Sequence, residues 1–426
     1  MLASPDQELV ERQPLLPGLA TALDPNALAK AVEMHGLMLP LNAEVAYTRF
    51  KPETSCLVAY RPAGESGAPL YYATAFRRDS GKLVKALKRN VAPTARGPGR
   101  VVLAEQAVEV CVFPNDDHMP VLIPLTDPKR QEEILDAVFS RMNGACSGTL
   151  SLLAYKPERR CVLQMESASG RKTVIRTYEK RGFEPALARA LHFADRDHEG
   201  IQRLVGYDPH HRLLAVEWCE GSSLIEVLSS AGRKRFDLQQ VGTLLADLHS
   251  ENPRTLPEWD ATDVVRRLDE IVRLMPALCP DLAGRAERIA REVSGAILAF
   301  EPCRATIHGD FDARQVIVRD DGVTFIDVDE ASSGPPVIDI GNFIAHLRVG
   351  TAMGIADASA ADDAIDALLR GYASRSVLPS SGDIRAATAL ALLLATHEPF
   401  RRHRPDWPDG VASVLSMVER ELQARE

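Results

Sequence analysis

Residues 306–342, TIHGDFDARQVIVRDDGVTFIDVDEASSGPPVIDIGN, decide how this 426-residue chain is read. Two apolar runs, Val316-Ile317-Val318 and Val323-Thr324-Phe325-Ile326, flank Asp320-Asp321-Gly322, the pattern of a β-hairpin closed by a tight polar turn. A short strand and a polar loop precede it. Asp310 lies before the hairpin, Asp327 follows it directly, and Gln315 stands five residues beyond Asp310 at the mouth of the first strand.

A hairpin of this kind gathers two carboxylates and an amide at one end. Mg2+ prefers hard oxygen ligands, commonly one or two carboxylates together with substrate phosphates. Asp327 and the Gln315 amide oxygen can supply the protein's share, which leaves Asp310 to accept a hydroxyl proton. That division of labour suits phosphoryl transfer, where positioning and charge neutralisation carry most of the catalysis.

The order His308-Gly309-Asp310, an amide five residues on, and then Ile326-Asp327 at a strand end resembles the aminoglycoside phosphotransferase (phosphotransferase enzyme) family. These are small-molecule kinases of protein-kinase-like fold. The resemblance implies ATP and Mg2+ as cofactors, Asp310 as catalytic base, and Gln315 and Asp327 as metal ligands. It also implies that Asp339 opens a helix and braces the catalytic loop, and that His308 is a structural hydrogen-bonder. Asp329, two residues past the metal aspartate, would join the metal shell or orient the substrate. Two positions depart from the pattern: Gln315 replaces the usual Asn, as in the maltokinase branch, and Pro335 stands where a Gly-Asp-Pro sequence is more typical.

Composition sets the surrounding bounds. A net charge of −9 argues against a nucleic-acid partner and suits a cationic or neutral substrate. The seven cysteines show no C-x-x-C spacing, and Cys56, Cys111, Cys161 and Cys219 fall in apolar runs, which points to a reducing, cytoplasmic setting. The first residues do not read as a signal peptide, and no apolar stretch approaches membrane-spanning length.

The expected organisation is α+β: an N-terminal segment (1–40), a β-rich module (41–145), a second β-rich module (146–222) and an α-rich lobe (223–426). Within the first segment, Asp24 and Pro25 predict a helix over Pro25–His35. The two β-rich modules share a repeat. Phe50-Lys51-Pro52-Glu53 recurs as Tyr155-Lys156-Pro157-Glu158, 105 residues later, and Val108–Val112 echoes Leu214–Cys219. The spacing reads as duplication of a unit of roughly a hundred residues.

In the second copy, three strands, a helix, two strands and a polar hinge at Glu220-Gly221-Ser222 resemble the family's N-lobe. The resemblance implies that Arg176, in place of the usual Lys, holds the α/β-phosphates and pairs with Glu184. It further implies that the turn Lys156–Arg160 stands in for a glycine-rich loop, and that Glu217, Trp218 and Cys219 line the adenine edge. The first copy has Thr74 and Lys82 at the positions of Arg176 and Glu184, so it reads as nucleotide-incompetent: a cap, a substrate wall or a dimer surface, which leaves a homodimer open.

Helices are expected over Leu238–His249, Thr262–Leu274, Leu282–Phe300, Asp339–Val349, Ala361–Ser374, Ile384–Thr396 and Val411–Gln423. His249 reads as a helix-end residue that satisfies the dipole. Arg401 and Trp407, in the segment 398–408, are candidate substrate contacts. The chain therefore reads as an ATP-dependent kinase that phosphorylates a hydroxyl of a sugar, amino sugar or amino alcohol. The alternative is a pseudokinase-like nucleotide-binding or interaction module.

Overall fold

The computed structural model describes residues 2–40, 42–64, 67–86, 91–140, 148–194, 200–229 and 236–423. The chain divides into two compact units. One comprises residues 1–184, 205–217 and 399–407, and the other residues 185–204, 218–398 and 408–426. Residues 41–145 and most of 146–222 thus fall in one unit, with residues 185–204 and 218–222 in the other, and the boundary expected near residue 145 lies outside the described residues.

The first unit opens with α1 (Ser4–Glu11), α2 (Leu19–Leu23) and α3 (Pro25–Glu33). Asp24 caps α3, its carboxylate accepting from the amides of Asn26 and Ala27. A five-stranded sheet follows, built from β1 (Ala43–Lys51), β2 (Ser55–Pro62), β3 (Tyr71–Phe76), β4 (Arg100–Leu103) and β5 (Val108–Val112) in the order β1-β2-β3-β5-β4, with α4 (Lys82–Ala86) between β3 and β4. Beyond α5 (Pro128–Phe139) come β6 (Gly148–Lys156), β7 (Arg160–Ser167), β8 (Lys172–Tyr178), α6 (Lys180–Ala194), β9 (Leu204–Asp208) and β10 (Leu213–Glu217). Their order, β6-β7-β8-β10-β9, is that of the first sheet.

The register agrees as well. Phe50 pairs with Cys56 as Tyr155 pairs with Cys161, and Leu57 pairs with Thr74 as Val162 pairs with Arg176. Thr74 therefore occupies the strand position that Arg176 holds in the second sheet. One alignment is corrected: Ala75 pairs with Val108 and Thr177 with Leu213, so Val108 matches Leu213 rather than Leu214. The sequence comparison slipped by one because β-branched and apolar residues repeat along both strands. Both turns carry their glutamate in the left-handed region, Glu53 at φ 55° and Glu158 at φ 63°.

The two sheets share one core. Leu57, Ala59, Tyr72 and Cys111 of the first pack in the same cluster as Tyr155, Cys161, Leu163, Met165, Ile175, Leu213 and Ala215 of the second, along with Leu135 and Val138 of α5. Residues 399–407 belong to this unit too. Trp407 is buried, its indole N–H donating to the buried Asp6 carboxylate at 3.2 Å, while Phe400 packs edge-on against Phe50 and Arg401 lies over the Tyr47 ring. A side chain as enclosed as Trp407 has no surface for a substrate, and Arg401 is occupied by Tyr47. The substrate contact expected of Trp407 gives way to a packing role, because its polar partner Asp6 comes from 401 positions away in the chain, while Arg401 stays half-buried over Tyr47.

The second unit holds β11 (Ser222–Ser223), α7 (Leu224–Ser229), α8 (Gln239–Ser250), α9 (Ala261–Leu278), α10 (Ala283–Leu298), β12 (Ala305–Ile307), β13 (Val316–Val318), β14 (Val323–Phe325), β15 (Ser332–Gly334), α11 (Val337–Ala352), α12 (Ala358–Ala373), α13 (Ser381–Leu394), the four-residue α14 (Glu398–Arg401) on its border, and α15 (Trp407–Gln423). Its helices follow the expected ones to within a few residues at each end. Among the described residues, no helix is long and apolar enough to cross a membrane.

Glycines let two of these helices meet closely. A Cβ on Gly242 of α8 would lie 2.0 Å from the Leu368 carbonyl oxygen of α12, and one on Gly371 of α12 would lie 2.0 Å from that of Gln239. Backbone atoms cannot rotate away as a side chain can. Gly242→Ala is therefore expected to force the pair apart and lower stability by about 1–3 kcal/mol, the range for overpacking, read as a fall in the urea midpoint at unchanged slope.

Candidate active site

The hairpin forms in the expected register, with Val316 opposite Phe325, Ile317 opposite Thr324 and Val318 opposite Val323. Ile326 lies outside the strand, but its amide donates to the Gln315 carbonyl at 2.9 Å. The loop from β12 to β13 carries His308, Gly309 and Asp310. Gly309 has φ +84°, and a Cβ there would meet the Glu330 carbonyl at 2.1 Å, so only glycine fits. Phe311 is fully buried against Phe325 and Phe343, with ring centroids 4.8 and 5.6 Å away. This anchor turns Phe311 inward while Asp310 stays exposed.

The loop is braced from below. Asp339, in the first turn of α11, is fully buried and accepts from the His308 amide at 2.7 Å, the Gly309 amide at 2.8 Å and His249 Nε2 at 3.0 Å. Asn342 Nδ2 adds a bond to the Gly309 carbonyl at 3.2 Å. His308 Nε2 donates to the Ile326 carbonyl at 3.0 Å, so a proton is on Nε2, and the buried Nδ1 has no partner among the described residues. The His308–Ile326 bond joins the loop just before Asp310 to the residue just before Asp327, so the two residues lie at the same end of the hairpin.

His249 is not a helix-end group facing solvent. It is buried, and it bridges Asp339 to the Tyr372 hydroxyl, 3.0 Å from Nδ1. The sequence carried a signal for this: His249 is in phase with the buried Val241 and Leu245, four residues apart in turn, on the inward stripe of α8. Asn342 and Tyr372 had no comparable signal.

Gln315 is buried, with its amide turned into the loop. Its Oε1 accepts from the Asp312 amide at 3.1 Å and its Nε2 points to Asp310 Oδ2 at 3.4 Å. Next to it, Asp312 is buried and grips Arg314 through both carboxylate oxygens. Burial alone would raise the Asp312 pKa, but the Arg314 hydrogen bonds and charge outweigh it and hold the carboxyl below the usual range. Arg314 also approaches His346 Nδ1 at 3.5 Å.

Asp327 has φ 65°, a left-handed conformation that heads the turn Val328–Glu330, and both Asp327 and Asp329 are half-buried. Among the described residues no group of three or more His, Cys, Asp or Glu is placed to hold a metal. The donors near Asp327 suit an ion that draws its other oxygens from phosphate and water, as Mg2+ does.

The remaining expected residues sit elsewhere. Arg176 is buried on β8, the middle strand of the second sheet. Glu184 is exposed on α6, and no ion pair between the two occurs among the described residues. Glu217 ends β10 in the first unit, while the half-buried Trp218 and Cys219 begin the next segment of the second.

Comparison with known proteins follows the same lines. No curated protein matches the chain. Among solved structures, a choline/ethanolamine kinase family protein from Mesorhizobium loti is similar at 14% identity and TM-score 0.50, covering 70% of this chain and 95% of its own. A thermostable mutant of aminoglycoside phosphotransferase APH(4)-Ia, in ternary complex with ADP and hygromycin B, matches at 13% identity and TM-score 0.50, with 69% and 99% covered. Amicoumacin kinase hAmiN, in complex with AMP-PNP, Ca2+ and Ami, matches at 11% identity and TM-score 0.51, with 71% and 96% covered. At such identities the likeness shows the fold, which is the kinase-like one expected from the sequence. The family model matches residues 164–378, just over half of the chain, and spans every bond of the loop, hairpin and brace described above. The chain belongs to the phosphotransferase enzyme family.

Proposed function

We propose that the protein transfers the γ-phosphate of ATP to a hydroxyl of a sugar, amino sugar or amino alcohol. The observation that carries this reading is the exposed Asp310, held by a loop whose neighbouring amides are fixed on the buried Asp339. Asp310 aims the substrate hydroxyl and accepts its proton. Asp339 and His308 keep that carboxylate in place, and Phe311 prevents the loop from turning over. Arg176 steadies the α/β-phosphates, the turn Lys156–Arg160 serves in place of a glycine-rich loop, and the segment Glu217–Cys219 meets the adenine edge.

Mg2+, when bound, would neutralise phosphate charge, held by Asp327 and by the second lone pair of the Gln315 amide oxygen, with Asp329 nearby. The nucleotides in the two complexes above, and the divalent cation in one of them, support carrying both to this chain. The choline/ethanolamine kinase relative supports an amino alcohol, as does the net negative charge of the chain.

Two observations favour a second reading. The Gln315 oxygen is already engaged by the Asp312 amide, and Glu184 is exposed, which suits a nucleotide-binding module with weakened catalysis. ADP release with and without Mg2+, measured against an amino alcohol, a disaccharide and an amino sugar, separates the two. The kinase is expected to show Mg2+-dependent turnover stimulated by at least one of them. Nucleotide binding indifferent to Mg2+, with no turnover on any substrate, supports the binding module.

A further inference from the structure

The equivalent turns of the two sheets are held in different ways. In the first, the Glu53 amide donates to Gln13 Oε1 at 2.9 Å. In the second, two residues of the first β-rich module close on the turn. Asp116 Oδ2 accepts from the Glu158 amide at 2.7 Å and from the Tyr155 hydroxyl at 2.8 Å, while Asp116 Oδ1 accepts from the His118 amide. Arg49 pairs with the Glu158 carboxylate and reaches the Pro157 carbonyl at 3.4 Å.

The amide and the carboxylate of Glu158 are thus both engaged. Both partners come from the first β-rich module, Arg49 from β1 and Asp116 from the segment after β5, and the Glu158 backbone occupies the left-handed region, where a non-glycine residue persists only when its surroundings impose it. Pro157, just before it, removes a further degree of freedom. Asp116 is 3% exposed, so its bonds compete little with water. A glycine-rich phosphate loop gains close approach through flexibility. The turn Lys156-Pro157-Glu158-Arg159-Arg160 has no glycine and is fixed from outside instead.

We propose that the first β-rich module serves as a brace, with Arg49 and Asp116 as positioning residues that fix the turn 156–160 in the conformation that meets the nucleotide phosphates. The proposal rests on the kinase reading above, and specifically on that turn facing the phosphates. It gives the first module a task that needs no nucleotide site of its own, in keeping with Thr74 at the position of Arg176.

The test is steady-state kinetics and binding of a fluorescent ATP analogue with Mg2+, on the full chain, for Asp116→Asn, Arg49→Met, Glu158→Gln and the Arg49→Met/Glu158→Gln double variant. Glu53→Gln, in the twin turn, serves as control. The brace predicts a rise of roughly tenfold in the KM for ATP and in the analogue Kd for the first three, with kcat and the KM for the alcohol changed by less than about threefold. Arg49→Lys should recover part of the loss, and the double variant should be no worse than either single one. Arg49 and Glu158 are partly accessible, so their variants are expected to fold even where Asp116→Asn does not. A lowered melting temperature with unchanged nucleotide affinity would overturn the brace and leave the kinase standing. A wild-type chain that binds no nucleotide would overturn both.

Discussion

Replacing Asp310 with Asn is expected to lower kcat by roughly 10^2- to 10^4-fold, the range for loss of a positioned general base, while nucleotide affinity and melting temperature stay close to wild type. The separation follows from the geometry. Asp310 is exposed, and its one described hydrogen bond, from Gln315 Nε2, is long at 3.4 Å. The loop's shape comes from Gly309, Phe311 and Asp339 instead, none of which the substitution touches. Asn keeps the volume and an acceptor for Gln315 but cannot take a proton at neutral pH. Single-turnover phosphoryl transfer and an unfolding curve, measured on the same preparation, check both halves. Unimpaired transfer would remove Asp310 from the chemistry, and a large loss of stability would make it a structural acid.

Asp339→Ala should do the reverse, acting on stability first. The carboxylate is fully buried and accepts from two backbone amides and one imidazole. Truncation leaves the His308 and Gly309 amides and His249 Nε2 without an acceptor in a dry site. A buried donor left unsatisfied costs about 1–3 kcal/mol, and three donors lose their acceptor here. A total near 3–5 kcal/mol is expected, because the loop can relax in part. Activity should fall with it, since the same amides hold Asp310. Urea unfolding gives the first quantity and kcat the second. A stable variant that had lost only activity would show that Asp339 acts on the reaction and not on the loop.

Much of this was legible in the chain because it is local. The hairpin follows from two apolar runs and Asp320-Asp321-Gly322, the α3 start from Asp24-Pro25, and the repeat from Lys-Pro-Glu recurring 105 residues on. What escaped was the identity of partners across space. Periodicity showed the inward stripe of α8 but not that Asp339 and Tyr372 would meet His249 there. Segment 398–408 reads as polar and aromatic, yet nothing nearby announces that Asp6 will accept the Trp407 indole. The inward turn of the Gln315 amide depends on a rotamer, and no pattern of residue types reports that.

The shared core of the two sheets has a practical corollary. The recognised family segment begins at residue 164, in the middle of β7, whereas the apolar seam beneath that strand is completed by Leu57, Ala59, Tyr72 and Cys111 far upstream. A chain trimmed at the recognised edge would bare Met165, Ile175 and Leu213 to water, the kind of contiguous oily patch that drives aggregation. The matched family segment and the length of polypeptide that closes its core are therefore different, and the second is the longer.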